Sequence, residues 1–298
     1  MHTLPRKAPR VRSAQPGDVD AIGRIYNEGI ADRIATLDED PKTTGEMESW
    51  WADHAGRYAV IVAEDSNGSI VGWAALNPYS HRCAYRGVAD LSVYVAREAR
   101  GTGVGSALLP ALERAAKEYG FHKIVLFMLP FNASAQRLYR KCGYHEVGVF
   151  REQGRLDGNF VDVMAMEKIL KPFVLFVCRH NTGRSQMAEA YLRHVLGDRV
   201  DVASAGTIAA DRPDPGVIAV MAEDGIDIGA ARPKLLDEER AAQADRIITM
   251  GCDVEGVPRI DDDWGLPDPK GQPLERVREI RDMVREKAER LAAELIAR

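Results

Sequence analysis

The chain repeats one alternation twice. Short runs of apolar, often β-branched residues give way to stretches whose apolar positions recur every three to four residues. Runs of the first kind suit strands and stretches of the second suit helices, so the alternation predicts α/β layering. In the first half, residues 58–64 and 70–76 predict two strands, and Asn67-Gly68 between them is a hairpin-turn signal. Residues 88–95 predict a further strand. Over 106–119, Leu108, Leu109, Leu112 and Ala116 fall on one helical face, and Gly120 supplies a stop. Residues 124–129 predict a strand, 132–142 a short helix ended by Gly143, and 161–166 a last strand. In the second half, strands are expected at 173–177, at about 199–204 and at 245–250, separated by helical stretches. That is the pattern of a parallel sheet with right-handed crossovers. Residues 274–297 predict a charged amphipathic terminal helix with one solvated face. The two sets meet at Lys171-Pro172 without a flexible linker, so two domains are expected, 1–170 and 171–298.

A length of 298 residues agrees with two domains, on a prior of roughly 150 residues each. With 45% apolar residues, 29% charged residues and a net charge of −5, the chain reads as globular and not as a dedicated nucleic-acid binder. The basic start, Arg6-Lys7 through Arg12, is short and is expected to fray. No apolar run approaches the roughly 20 residues of a membrane span, and the start lacks a signal peptide's apolar core; no membrane partner is expected. The four cysteines, at 83, 142, 178 and 252, are dispersed and form no C-x-x-C, which suits a reducing, cytoplasmic setting. The seven histidines show no ligand spacing, so no metal is expected.

Two segments carry chemistry. Residues 174–185 read Val-Leu-Phe-Val-Cys-Arg-His-Asn-Thr-Gly-Arg-Ser, placing Cys178 in a loop between a buried strand and a helix N-terminus. Loop amides and the helix dipole there would point at a bound anion and favour the thiolate. Arg184 is suited to bidentate recognition of a tetrahedral oxyanion, and Ser185 can donate to the sulfur. The residues thus read as a thiolate that attacks a phosphate-like oxyanion. The alternative, a buried cysteine acting as a small hydrophobe, is disfavoured by the strand, Gly183, Ser185 and the helix around it. Further upstream, Arg100-Gly101-Thr102-Gly103-Val104-Gly105 follows a strand and precedes a helix, where glycines let the backbone approach a pyrophosphate. The spacing is not G-x-G-x-x-G, and a plain glycine-rich turn is the alternative.

Residues 173–298 resemble the low-molecular-weight tyrosine phosphatase superfamily, and within it the arsenate reductase branch. The resemblance rests on the run Cys178 to Ala188, on Ser204-Ala205-Gly206-Thr207, on Ile248-Thr249-Met250-Gly251-Cys252 and on Asp268-Pro269. It implies a flavodoxin-like parallel sheet. It implies Cys178, Arg184, Ser185 and Asp268 as catalytic residues, with Asp268 as general acid, although Asp-Pro by itself reads as a turn. It implies an oxyanion loop of Arg179, His180, Asn181, Thr182 and Gly183. Tyrosine phosphatases follow the Asp-Pro with an aromatic residue; Lys270-Gly271 here looks like the reductase version. The run 183–188 resembles mycothiol-using reductases. Thioredoxin-linked members carry two further redox cysteines, whereas only Cys252 lies downstream here and is read as structural. The implied electron donor is an external low-molecular-weight thiol, mycothiol or glutathione, with a redoxin that releases arsenite by thiol exchange.

Residues 10–169 resemble GNAT acetyltransferases of the phosphinothricin acetyltransferase-like group, a mixed-sheet fold. Arg100, Gly103 and Gly105 match R-x-x-G-x-G; Leu91 to Val95 match the strand that pairs with the pantetheine arm; Asn132-Ala133-Ser134, Leu138-Tyr139 and Gly143-Tyr144 match the helix at the thioester end. The resemblance implies acetyl-CoA as cosubstrate, bound by Val93, Val95, Arg100, Gly101, Thr102, Gly103, Val104, Gly105, Ser106, Asn132 and Ser134. It implies Tyr139 as the acid for the departing thiolate. Asp90 stands where relatives place a glutamate as general base; being shorter, it would reach the amine through a water. The implied acceptor is an oxyanion-bearing amino acid of the arsinothricin or phosphinothricin type. Arg82, Tyr85 and Arg86 are candidates to hold it, ordinary solvated charge being the alternative for the arginines. Taken together, a bifunctional arsenic-detoxification enzyme is expected, with arsenate, an amino-acid analogue and a redoxin as partners and a homodimer as an admissible assembly. The alternatives are an acetyltransferase fused to a tyrosine phosphatase, or an oxyanion-sensing module gating the acetyltransferase.

Overall fold

The protein is described here by a computed structural model covering residues 9–54, 56–208 and 210–296. Arg6 and Lys7, and Ala297 at the end of the expected terminal helix, lie outside the described residues. The chain divides after Leu170 into two units, each with its own hydrophobic core.

The first unit runs β1 (Arg10–Ser13), α1 (Val19–Ala31), α2 (Thr44–Asp53), β2 (Val60–Glu64), β3 (Ile70–Pro78), β4 (Val88–Val95), α3 (Val104–Glu118), β5 (Lys123–Met128), α4 (Ala133–Lys141), β6 (His145–Leu156) and β7 (Asn159–Ile169). Its sheet has the order β1-β2-β3-β4-β5-β7-β6 and is antiparallel except where β4 meets β5. Residues Arg10 to Arg12 do not fray: they pair with β2, and Arg12 lies 2.6 Å from both Asp18 and Glu64. The intervening Val11 packs on the core, and two buried-side carboxylates neutralise the arginine, so this basic start is an edge strand. The unexpected β6 carries no apolar alternation because most of its side chains are exposed; its backbone pairing to β7, broken by two register shifts, is what makes it a strand.

One feature of this sheet positions chemistry. β4 and β5 pair only over Val88–Asp90 with Lys123–Val125. Beyond that, β4 continues to Val95 against β3 alone, and β5 continues to Met128 against β7. The two parallel strands therefore splay, leaving the end of β4 with a free edge beside the N-termini of α3 and α4. A crevice of this kind, outside the carboxyl ends of parallel strands, is where open α/β sheets bind ligands.

The second unit runs β8 (Phe173–Cys178), α5 (Arg184–Leu196), β9 (Asp201–Gly206), α6 (Pro215–Glu223), α7 (Glu238–Gln243), β10 (Arg246–Thr249), β11 (Asp262–Asp263) and α8 (Leu274–Ile296). Its sheet, β11-β10-β8-β9, is wholly parallel. Val174, Phe176 and Ile248 face the core formed with α5, α6 and α8, while Leu175, Val177 and Ile247 pack on the other side with Ala241 and Ala244. Both faces are covered, which explains the unbroken apolar runs of these strands. Cys178 ends β8 at the carboxyl edge of the sheet.

Candidate active sites

In the first unit, a cavity of ≈ 760 Å³ fills the splay between β4 and β5. Val93 and Val95 form its strand wall. Arg100, Gly101, Gly103, Val104, Gly105 and Ser106 form the loop and first turn of α3, and Asn132, Ser134 and Tyr139 lie along α4. Gly103 caps α3 at φ 96°, a left-handed conformation that glycine adopts without penalty. No side chain caps that helix start, so its first amides are free to meet an anion. Thr102 turns away, donating its hydroxyl to Ala99 O at 2.6 Å. Arg100 lines the cavity but is held by Asp32, at 2.5 Å, and by Val95 O. Two cations that the sequence did not single out, Arg137 and Lys141, also line it from α4.

Asp90 sits where β4 and β5 part, half-buried, and desolvation pushes its carboxyl up to about 6 against the opposing pull of Leu91 N–H and Asn77. Asn77 stands directly opposite on β3. Its Nδ2 reaches Ser92 Oγ at 3.0 Å and Asp90 Oδ2 at 3.5 Å, and its Oδ1 lies 3.0 Å from His54 Nε2. His54 is fixed in turn by Trp50, through its Nδ1 to the Trp50 carbonyl and by ring contact at 4.2 Å. Tyr139 is buried, and both desolvation and the Asp90 charge hold its hydroxyl well above the usual phenol range, keeping it protonated. Arg82, Tyr85 and Arg86 occupy an exposed 3-10 turn before β4 and do not line the cavity; Tyr85 packs edge-on against Tyr79.

In the second unit, the loop after β8 wraps the sulfur of Cys178. Asn181, at φ 53° and fully buried, turns its N–H onto Sγ at 3.2 Å. Ser185 Oγ lies 2.9 Å from Sγ. Asn181 Nδ2 donates to Ser185 Oγ at 2.9 Å and to Ser204 Oγ at 2.8 Å. With Oγ accepting from Asn181, the Ser185 hydroxyl proton is free to point at the sulfur. Lys234 N–H closes on Asn181 Oδ1. Asn181 and Ser185 thus stand behind the nucleophile rather than in the cleft. The cleft itself is small, ≈ 20 Å³, and is lined by Cys178, His180, Thr182, Gly183, Arg184 and Asp268 together with Asp214, Pro269 and Lys270. Arg179 is exposed and outside it. Arg184 donates through Nη1 to Met250 O and Leu266 O, and through Nη2 to Asp268 Oδ2.

Residues 24–144 match the Acetyltransferase (GNAT) family and residues 173–298 match the low molecular weight phosphotyrosine protein phosphatase family. The phosphinothricin N-acetyltransferase of Streptomyces coelicolor is 32% identical over 164 residues, covering 54% of this chain and 96% of its own. The glutaredoxin arsenate reductase of Synechocystis is 38% identical over 128 residues, covering 41% of this chain and 97% of its own. The chain belongs to both families. Its first unit is a GNAT domain, and its second is a low-molecular-weight phosphatase domain with arsenate reductases among its relatives. Of solved structures, a GNAT superfamily phosphinothricin acetyltransferase from Sinorhizobium meliloti, in complex with acetyl-CoA, matches the first unit with TM-score 0.53 and 29% identity, covering 55% of this chain and 89% of its own.

Within the GNAT domain, His54 and Asn77 were not legible as site residues. They come from α2 and β3, far from any glycine-rich signal, and only the strand register brings Asn77 to Asp90. In the phosphatase-family domain, Ser204 was visible as part of a motif but its task was not. It passes a hydrogen bond from Asn181 to Glu189, at 2.5 Å from Glu189 Oε2. Cys252 lies half-buried beside this site, where desolvation raises its thiol against the pull of Arg184 and the Arg179 N–H. Among the described residues no helix is long and apolar enough to cross a membrane.

Proposed function

We propose that the chain is a bifunctional arsenic-detoxification enzyme. The GNAT domain transfers acetyl from acetyl-CoA to the α-amine of an oxyanion-bearing amino acid, and the second domain reduces arsenate to arsenite with an external thiol. The observation that carries the second half is the convergence of Cys178, Arg184 and Asp268 on one cleft, with Lys270 and no aromatic residue following Asp268-Pro269 in its lining.

In the reduction, Cys178 thiolate attacks arsenic while Arg184 and the loop amides hold the oxyanion, and Asp268 protonates the oxygen that leaves as water. The sulfur of mycothiol or glutathione then takes the arsenic from Cys178, restoring the thiolate. A redoxin thiolate attacks that sulfur. The sulfur–arsenic electron pair stays on arsenic, As(V) becomes As(III), and arsenite leaves as a mixed disulfide forms.

In the acetyl transfer, the ≈ 760 Å³ cavity is large enough to take the cosubstrate, with its thioester toward Tyr139 and its phosphates toward the α3 start, Arg137 and Lys141. The free edge of β4 at Val93 and Val95 would pair with the pantetheine amides. Asp90 takes the amine proton through a water, the amine attacks the thioester carbonyl, and Tyr139 protonates the departing thiolate. Arg82, Tyr85 and Arg86 would meet the acceptor's oxyanion at the outer end of β4.

The test is arsenate reduction by the purified protein with mycothiol and its redoxin, glutathione and glutaredoxin, or thioredoxin, with aryl-phosphate hydrolysis run in parallel. Turnover lost in Cys178→Ser, without phosphatase activity, supports the reductase and names its donor. Aryl-phosphate turnover without arsenate reduction would move the domain to the phosphatases and remove the arsenic argument for the acceptor.

A further inference from the structure

In the GNAT domain one side-chain amide stands between two titratable groups. Asn77 on β3 has its Oδ1 3.0 Å from Nε2 of His54, the residue that ends α2. Its Nδ2 lies 3.5 Å from Asp90 Oδ2 and 3.0 Å from Ser92 Oγ, both on β4. The strand register sets Asn77 directly opposite Asp90, so β3 holds the amide beside the carboxyl.

The other bond of His54 restricts what this amide can do. Nδ1 lies 2.7 Å from the Trp50 carbonyl, and the Trp50 ring packs on the imidazole at 4.2 Å. A carbonyl only accepts, so the proton of a neutral ring sits on Nδ1. Nε2 is then a bare acceptor in the neutral ring and an N–H donor in the imidazolium. An amide has an acceptor at one end and a donor at the other. With His54 charged, Oδ1 accepts from Nε2 and the NH₂ group is turned to Asp90, where it stabilises the carboxylate. With His54 neutral, the NH₂ group is drawn to Nε2. The carbonyl oxygen then faces Asp90, where it repels a carboxylate and accepts from the acid. Ser92 does not choose between the two arrangements, because a hydroxyl can donate or accept. On the far side of Asp90, α4 presents Tyr139, whose buried hydroxyl stays protonated and so contributes no change of charge. Among the described residues the ring of His54 has hydrogen bonds to Trp50 and Asn77 alone.

We propose that His54 is a positioning residue for the acetyl transfer: through the Asn77 amide it sets the charge of Asp90, and the two groups titrate as one linked pair. The imidazolium turns the amide donor to Asp90 and holds it as the carboxylate that receives the amine proton. This role rests on the reading of Asp90 as the base. The link is reciprocal: what a charge on His54 does to proton binding at Asp90, a charge on Asp90 does in equal measure at His54. Nothing in it depends on which amino acid is the acceptor.

The experiment follows protonation in the full chain without substrate. Asp90 is read from its carboxyl carbon and His54 from its ring carbons by NMR across pH, in protein labelled at aspartate and histidine. Asp90→Asn and His54→Phe assign the two signals. His54→Phe should raise the Asp90 midpoint by about half a pH unit or more, the order expected when a carboxylate loses a hydrogen bond. The same substitution made in Asn77→Ala should leave the midpoint where Asn77→Ala alone puts it. Asp90→Asn should lower the His54 midpoint, and should not lower it in Asn77→Ala. An unmoved Asp90 midpoint in His54→Phe overturns the proposal. So does an equal rise with and without Asn77, which would make His54 a charge acting through space. Should His54→Phe fail to fold, the His54 midpoint in Asp90→Asn, with and without Asn77, decides the same question. Turnover is then read as kcat/KM for phosphinothricin with acetyl-CoA against pH, and in His54→Phe its acidic limb should move with the Asp90 midpoint. A moved midpoint with an unmoved limb removes Asp90 as the base while the linked pair stands, so failure of that reading is distinguishable from failure of the link.

Discussion

Arg184 and Asp268, 84 residues apart in the chain, meet with Nη2 3.0 Å from Oδ2. The arginine is nearly buried and anchored by two carbonyls, whereas the aspartate side chain is 59% exposed. The cation is thus fixed and the anion is the replaceable partner: an entering oxyanion competes with Asp268 for the same nitrogen. Asp268→Asn should lower kcat for arsenate reduction by roughly 10²–10⁴-fold, the usual worth of a general acid, while binding of phosphate as a competitive inhibitor tightens because a carboxylate no longer competes. Equal kcat in the variant and the parent would remove Asp268 from the chemistry.

Asp90 gives a pH dependence with a definite sign. Its carboxyl is pushed up to about 6 from an ordinary 3.8, mainly by desolvation. A base acts when deprotonated, so kcat/KM for acetylation should rise with pH to a plateau above about 6, and Asp90→Asn should abolish both the limb and the activity. Stability runs the other way. A folded-state value above the unfolded one favours the folded protein at low pH, and that advantage is lost as pH rises through about 6. Near pH 7 the buried charge is therefore a cost, on the order of 2–3 kcal/mol, and Asp90→Asn should melt higher than the parent at pH 7.5 and not at pH 3.5.

Asn77 donates toward Asp90 and so opposes the effect of burial. Removing that donor in Asn77→Ala should move the acidic limb of kcat/KM to higher pH. A role in folding alone would lower the plateau or the melting temperature without moving the limb.

Gly206 marks the tightest approach to the nucleophile loop. A Cβ there would stand 2.8 Å from Asn181 N, 2.8 Å from His180 C and 3.0 Å from Arg179 O, all backbone. None of these atoms can swing aside as a side chain end would. Gly206→Ala should cost about 1–3 kcal/mol of overpacking in the second unit and displace the amides around Cys178, so that arsenate reduction falls at least tenfold. Acetylation, built on a separate unit, should be unaffected. Two activities measured on one preparation decide this directly.

How much of each site could be read in advance follows from how local its parts are. Cys178, Gly183, Arg184 and Ser185 lie within eight consecutive residues, and the strand-loop-helix they sit in follows from the apolar run and the helical period beside them. The glycine-rich start of α3 is local in the same way. Asp268 carried no signal of its own beyond a turn. His54 and Asn77 carried none, because a half-buried polar residue on a helix or strand reads as ordinary until its neighbours are known. Edge strands β1 and β6 escaped for a related reason: few or none of their side chains enter the core, so hydrophobic patterning had little to record.

The sequence by itself determined the two α/β halves, their junction, the nucleophile loop and the anion-ready helix starts, because each is a property of a few neighbouring residues: period, cap and backbone freedom. Only the tertiary structure decided where β4 parts from β5, that Arg184 is held between Met250, Leu266 and Asp268, and that Asn181 and Ser204 stand behind the sulfur. Each of these is a choice of register or of long-range hydrogen-bond partner. It is settled by satisfying every buried polar group at once, and no local window of residues contains that condition.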